Sequence, residues 1–242
     1  MARLLRLSFL RGGALQPALN AGDRRIAALT PHTSDALLTS PSRCTGDFNQ
    51  LSTILIDEVV ASPAAGDNVG GDAVGVLTAE RSPAFANMAS FDKNSIAHSV
   101  KHVLQRSWSD CPFASEGMSL SSSWEALQTR PSEPMLAFNL IRMPDPDLYK
   151  QYSTHFAALP DRYGMKFVEV ASLDAANSVL SGSEVAFGGF HLMALVYFPS
   201  SHAFIDAWSD PDIVDAAYPL RRQLLSGGFE HLWLRCDWAD ME

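Results

Sequence analysis

Apolar positions recur along this chain with two periods, one of strands and one of helices. Leu4 to Arg11 (LLRLSFLR) and Met135 to Arg142 (MLAFNLIR) are apolar runs of strand length, each ended by an arginine. After the second run, Asp145-Pro146-Asp147 offers an N-cap carboxylate and a proline at the first helical position, so a helix is predicted to start there. Leu148, Tyr152, Phe156 and Leu159 give it one apolar face, and Pro160 ends it. Strands are predicted at Met165 to Ala171 and at Phe187 to Phe198, the latter apolar at both parities as in a strand covered on both sides. Pro199-Ser200-Ser201 caps a further helix with Phe204, Ala207 and Trp208, interrupted near Pro211, resumed with Ile213, Ala217, Leu220 and Leu224, and stopped by Gly227-Gly228. A closing strand, Phe229 to Trp238, alternates Phe229, His231 and Trp233 against Leu232 and Leu234.

The two arginine-ended runs lie 131 residues apart, and other landmarks keep nearly that offset. Ile26-Ala27-Ala28-Leu29 matches Phe156-Ala157-Ala158-Leu159 at 130, and Ser82-Pro83-Ala84-Phe85 stands opposite Ser201-His202-Ala203-Phe204 at 119. The shrinking offset places an insertion in the first copy, and the Gly, Pro and Asn density of residues 61–72 identifies it as a loop. The chain therefore divides into residues 1–118, a serine- and proline-bearing linker at 119–133, and residues 134–242. If the first strand opens at Arg3, the arginine-bearing start belongs to the fold and is not a cleaved leader.

Strand, helix, strand, strand, helix, strand is the split βαβ order. The fold class expected is α+β: two tandem ferredoxin-like (βαββαβ) domains closing into a pseudo-dimeric α/β barrel. Tyr149, Tyr152, Arg162-Tyr163-Gly164, Leu180-Ser181-Gly182, Phe198-Pro199-Ser200, Ala207-Trp208 and Arg221-Arg222 carry a resemblance to the dimeric α/β-barrel superfamily. Within it, residues 135–236 most resemble the branch known as domain of unknown function 1330. The first copy resembles it only through the repeat, having Glu80-Arg81-Ser82 and Met88 or Ala89 where the second has its FPS and tryptophan. The resemblance implies a pocket between a sheet and its helices, in a superfamily of cofactor-free oxygenases, cyclases, isomerases and haem enzymes; the fold does not choose among them.

Charge and composition exclude several partners. Residues 134–242 hold 14 acids against 7 bases and the whole chain carries −9, which leaves no electrostatic footprint for nucleic acid. No apolar run approaches the roughly 20 residues needed to cross a bilayer. Cys44, Cys111 and Cys236 are an odd, scattered set with no CxxC, which fits a reducing, cytoplasmic setting. A monomeric pseudo-dimer, or a weak homo-oligomer, is expected.

The candidate chemistry lies in the second half. His191, between Phe190 and Leu192, would be held neutral by burial and could act as a general base, and Asn139, a polar residue inside an apolar strand, could hold a carbonyl or developing oxyanion. Tyr152 completes the catalytic set, and His155, three residues on, could reach the same cavity. Trp208 and Tyr218 would line a flat aromatic pocket, and Arg162 and Arg222 are the cations placed to fix an acidic substrate. Each has a plainer role in core packing or in surface ion pairs.

A haem protein is a third possibility after enzyme and binding protein. His98 and His102 tempt, but Ile96, Val100, Val103 and Leu104 put the apolar face on the other side of their helix, and no HExxH occurs. No cofactor is expected. The expected function is a small-molecule enzyme using proton transfer, as an isomerase, cyclase or oxygenase, on a hydrophobic carbonyl or phenolic compound. The alternative is a non-catalytic ligand-binding or scaffold protein.

Overall fold

A computed structural model describes residues 4–12, 19–38, 51–60, 73–82, 134–173, 179–182 and 189–238. The first half supplies β1 (Leu4–Arg11), β2 (Arg24–Leu38), β3 (Leu51–Val59) and β4 (Ala73–Arg81). The second supplies β5 (Met135–Arg142), β6 (Lys166–Ser172), β7 (Val179–Gly182), β8 (Leu192–Phe198) and β9 (Glu230–Trp238). Its helices are α1 (Pro146–Thr154), α2 (Leu159–Tyr163), α3 (Ser201–Trp208) and α4 (Tyr218–Ser226), with a π-helical turn at Ile213–Ala217 leading into α4.

The strands follow the order β1-β3-β2-β9-β5-β8-β6-β4, and β4 pairs back onto β1, so eight antiparallel strands close into one barrel; β7 adds to β4 outside that ring. This corrects the expected fold class. A closed antiparallel β-barrel with few helices replaces two ferredoxin-like domains and the α/β barrel they were to form.

The physical reasons lie in the first half. Every helix among the described residues follows β5. Ile26 to Leu29, aligned by the repeat with the end of a helix, lies inside β2, where an Ala-Ala pair flanked by branched residues is as good a strand as a helix. The fourth described strand of this half is Ala73–Arg81. Residues 61–72, 83–133, His98 and His102 lie outside the described residues. The halves nevertheless enter the ring with one internal order, β4-β1-β3-β2 and β9-β5-β8-β6, and meet at two seams, β2 on β9 and β4 on β6.

Alternation along each strand gives the barrel two cores. Leu5, Leu7 and Phe9 of β1, Leu136, Phe138 and Leu140 of β5, Met193, Leu195 and Tyr197 of β8, and Leu232, Leu234 and Cys236 of β9 fill the inside. Phe9 meets Phe138 edge to face at 5.9 Å between ring centres, joining the halves across the interior. Burial pushes the Cys236 thiol up, so it packs here as a small hydrophobe. The opposite parity of β5, β8 and β9 packs outward on the helices.

Those helices start where local chemistry dictates. Asp145 accepts from the Leu148 N–H at 2.9 Å with Pro146 in the first turn, and Ser200 Oγ accepts from the Ala203 N–H at 3.0 Å. Gly164 closes α2 at φ +67°, a conformation that costs a residue with a Cβ, which explains the glycine of Arg-Tyr-Gly. Among the described residues, no helix is long and apolar enough to cross a membrane.

One buried ion pair fastens the β4–β6 seam. Arg81 grips Glu169 with two bonds, Nε to Oε1 at 2.7 Å and Nη2 to Oε2 at 2.8 Å, while its Nη1 donates to Glu58. Glu169 is fully buried beside a bulge in β6, and it raises the pKa of Arg81 through the bond they share. Breaking such a pair from one side strands a charge in the core, a loss of about 3–5 kcal/mol. Arg81→Met is expected to lower the urea midpoint accordingly, and Arg81→Met with Glu169→Met to recover most of the loss. A single variant as stable as the parent would show that the seam does not depend on this pair.

Candidate functional site

The outward face of β5, β8 and β9 and the helices above it enclose a cavity of about 390 Å³. Its existence follows from side-chain size. Ala194 stands opposite Asn139, and Ala137 opposite Val196, so two alanines interrupt a floor otherwise set with Ile141, Val196 and Trp233. Tyr149, Tyr152 and Phe156 come down from the α1 segment, Ala207 and Trp208 from α3, and Phe229 closes one end just before β9. The walls are aromatic and aliphatic, and none of the lining residues is Asp, Glu, Lys or Arg.

Two polar pairs stand in or beside this apolar lining. The first is on the sheet. Asn139 Nδ2 donates to the carbonyls of Ala137 at 2.9 Å and Ala194 at 3.1 Å, and its Oδ1 lies 2.8 Å from His231 Nε2. An amide oxygen only accepts, so His231 carries its proton on Nε2 and its lone pair on Nδ1. Burial pulls the His231 pKa down to about 3, and the charge of Arg221 adds to the effect, so the ring is neutral.

The second pair joins the two helices. Arg221 of α4 is 1% exposed, and its Nη1 donates to the Tyr152 hydroxyl at 3.3 Å. Its guanidinium carbon lies 5.5 Å from the Phe229 ring centre and 5.9 Å from that of Trp208, within cation–π range of both. The Tyr149 ring stacks on Phe229 at 6.0 Å; burial, and secondarily Tyr152, raise the Tyr149 phenol while Arg221 lowers it, with burial dominating.

The cavity brings together Asn139, Tyr152 and Trp208 of the residues singled out from the sequence. The others lie elsewhere. His191 precedes β8, half-buried, with Nδ1 accepting from the Met143 N–H at 3.2 Å; burial first, then the Arg142 charge, lower its pKa. That bond ties the end of β5 to the strand beside it. His155 caps the end of α1, and Tyr218 packs on the outer core away from the cavity lining.

Arg162 pairs with Asp210 at 2.9 Å and Asp212 at 2.7 Å. Burial alone would raise the Asp210 carboxyl, but bonds from the Tyr163 hydroxyl, Arg162 and the Asp212 N–H hold it below the usual value. Arg162 thus braces α2 against the turn after α3. Arg222 is exposed, and its neighbour Arg221 is the buried cation.

His231, Arg221, Tyr149 and Phe229 have places in the site that the sequence reading did not assign. Signals for two of them exist. His231 shares strand parity with Phe229 and Trp233, and Arg221 falls four residues after Ala217 and three before Leu224, on the apolar face of its helix. Cys44 and Cys111 lie outside the described residues. Among the described residues, no group of three or more His, Cys, Asp or Glu gathers as metal ligands would.

The neutral imidazole makes stability depend on pH with a definite sign. The unfolded chain takes up a proton on this ring near its ordinary 6.5, while the folded one refuses it down to about 3. The contribution is complete above the unfolded value and is lost as pH falls through that window, with a slope approaching about 1.4 kcal/mol per pH unit. From about pH 7 to about pH 4 the urea midpoint of the parent is expected to fall more steeply than that of His231→Gln, which has no ring to protonate. Parallel curves would place a different group in control.

No family model matches the chain, and neither a curated protein nor a solved structure does.

Proposed function

We propose that this protein binds a small, largely hydrophobic molecule carrying one oxygen function, seated between α1, α3 and the outer face of β5, β8 and β9. One observation carries the reading: an apolar cavity of about 390 Å³ in which Asn139, His231 and Tyr152 stand among aromatic walls. That size and lining suit a ligand of one or two rings, with apolar contact supplying affinity and a few polar groups supplying orientation. The flat faces of Tyr149, Trp208 and Phe229 favour a planar ligand.

A second reading, proton transfer on a carbonyl or phenolic compound, is favoured by the Tyr152–Arg221 bond. A phenol that accepts from a cation is a better donor through its own hydrogen. His231, with its pKa near 3, is a weak base at neutral pH, so any catalysis here would turn on Tyr152 and not on an imidazole.

Tryptophan fluorescence titrations with naphthalene and 2-naphthol test the binding reading, since Trp208 and Trp233 line the cavity. Both probes are expected to saturate, 2-naphthol about three- to tenfold more tightly, the worth of one net hydrogen bond. Ala137→Phe, which fills the floor, is expected to abolish both signals. Absence of saturable binding to the parent, or binding undisturbed by Ala137→Phe, would overturn the proposal.

A further inference from the structure

On the reading of the cavity as a ligand site, we infer that the site selects by charge: it takes a weakly acidic ligand, a phenol or enol, in its protonated neutral form and leaves the anion in water. Three features of the geometry carry this.

The first is the chemistry of the walls. Among the residues lining the cavity none is Asp, Glu, Lys or Arg. Asp206 of α3, Arg221 of α4 and Arg235 of β9 are buried on the elements around it without lining it. Glu169 of β6 is bonded to Arg81, and Glu230 of β9 to Arg142. Asp147 and Lys150 of α1 and Arg222 of α4 are exposed, and the imidazoles of His155, at the end of α1, and His202, on α3, lie outside the lining. An anion entering this space gives up its hydration without meeting a counter-charge in the wall, a far larger loss than a neutral hydroxyl suffers.

The second is where the hydrogens of the floor go. An anionic oxygen is stabilised by donors aimed at it. Asn139 gives both Nδ2 hydrogens to the carbonyls of Ala137 and Ala194, and His231 gives its Nε2 hydrogen to Asn139 Oδ1. A neutral imidazole has no other N–H. The polar pair on the sheet has thus committed its N–H groups, and the amide oxygen, with its second lone pair, suits a ligand O–H and repels an oxyanion.

The third is the cavity's own phenol. Tyr149 is a lining residue, and its ring stacks on Phe229, the ring against which the Arg221 guanidinium also lies. It is a phenol between the walls that a ligand would meet. Burial, the largest influence on it, raises its pKa although Arg221 acts in the opposite direction. A ligand phenol in the same space is subject to the same balance, in which desolvation outweighs the cation. A ligand that is ionised in solution therefore takes a proton from water, its oxygen lone pair becoming the O–H bond, and enters neutral.

4-Nitrophenol reports this directly, because its phenolate absorbs in the visible. Titrated with pH while saturating the full-length protein, the bound probe is expected to ionise about one unit above the free probe, so that its neutral form binds about tenfold more tightly than its anion. 4-Nitroanisole, which has no proton to lose, is expected to bind with one affinity across the same range. Ala137→Phe is expected to abolish the shift. A bound 4-nitrophenol that ionises at or below its free value overturns the inference and leaves the ligand site standing. Binding of 4-nitroanisole that weakens with pH in step with 4-nitrophenol also overturns it, since the titrating group then belongs to the protein. A shift retained in Ala137→Phe puts the probe outside the cavity and overturns the inference. Failure of 4-nitrophenol, 4-nitroanisole and naphthalene alike to bind the parent removes the ligand site as well.

Discussion

Closing a sheet into a barrel takes one face of every strand out of contact with everything except the other strands. In this protein that inner face is packed, among the described residues, with leucines, phenylalanines, Tyr197 and Cys236. The described cavity lies on the other side, between the outer face of β5, β8 and β9 and the helices. Because side chains alternate, the site and the core are interleaved residue by residue: Asn139 lies between Phe138 and Leu140, and His231 directly precedes Leu232. A slip of one residue in any of these strands would move the polar pair into the barrel and expel the core. The site is therefore as well defined as the register, and the register is held by closure at the two seams, where the buried grip of Arg81 on Glu169 ties β4 to β6.

The polar groups on the outer face obey a related economy. An amide inside an apolar floor is tolerable only when its donors and acceptor are all used. Asn139 meets that condition with the two strand carbonyls and the imidazole, and in doing so fixes the tautomer of His231. A ligand oxygen arriving in the cavity meets an amide whose Nδ2 already bridges two carbonyls. The Tyr152 hydroxyl, which also lines the cavity, accepts from the buried Arg221. Two alanines, Ala137 and Ala194, make the space.

The second half was legible in the sequence because its signals are local. Asp145-Pro146, Ser200 and Gly164 punctuate the helices by chemistry that acts within one turn, and the alternation from Phe229 to Trp233 needs only the period of a strand. In the first half only β1 was, at Leu4–Arg11, because the other described strands are specified by their partners. Ile26 to Leu29 has no periodicity of its own, and Ala73 to Arg81 contains Gly75 and ends in charges, so only pairing with β1 and β6 makes it a strand. The same distinction separates the site residues. Asn139 and Tyr152 could be found from their positions within one element, whereas choosing His231 over His191, or Arg221 over Arg222, requires knowing which face of each element is covered. His191 has the apolar neighbours of a buried base, yet it sits just before its strand begins, where its ring serves a backbone N–H.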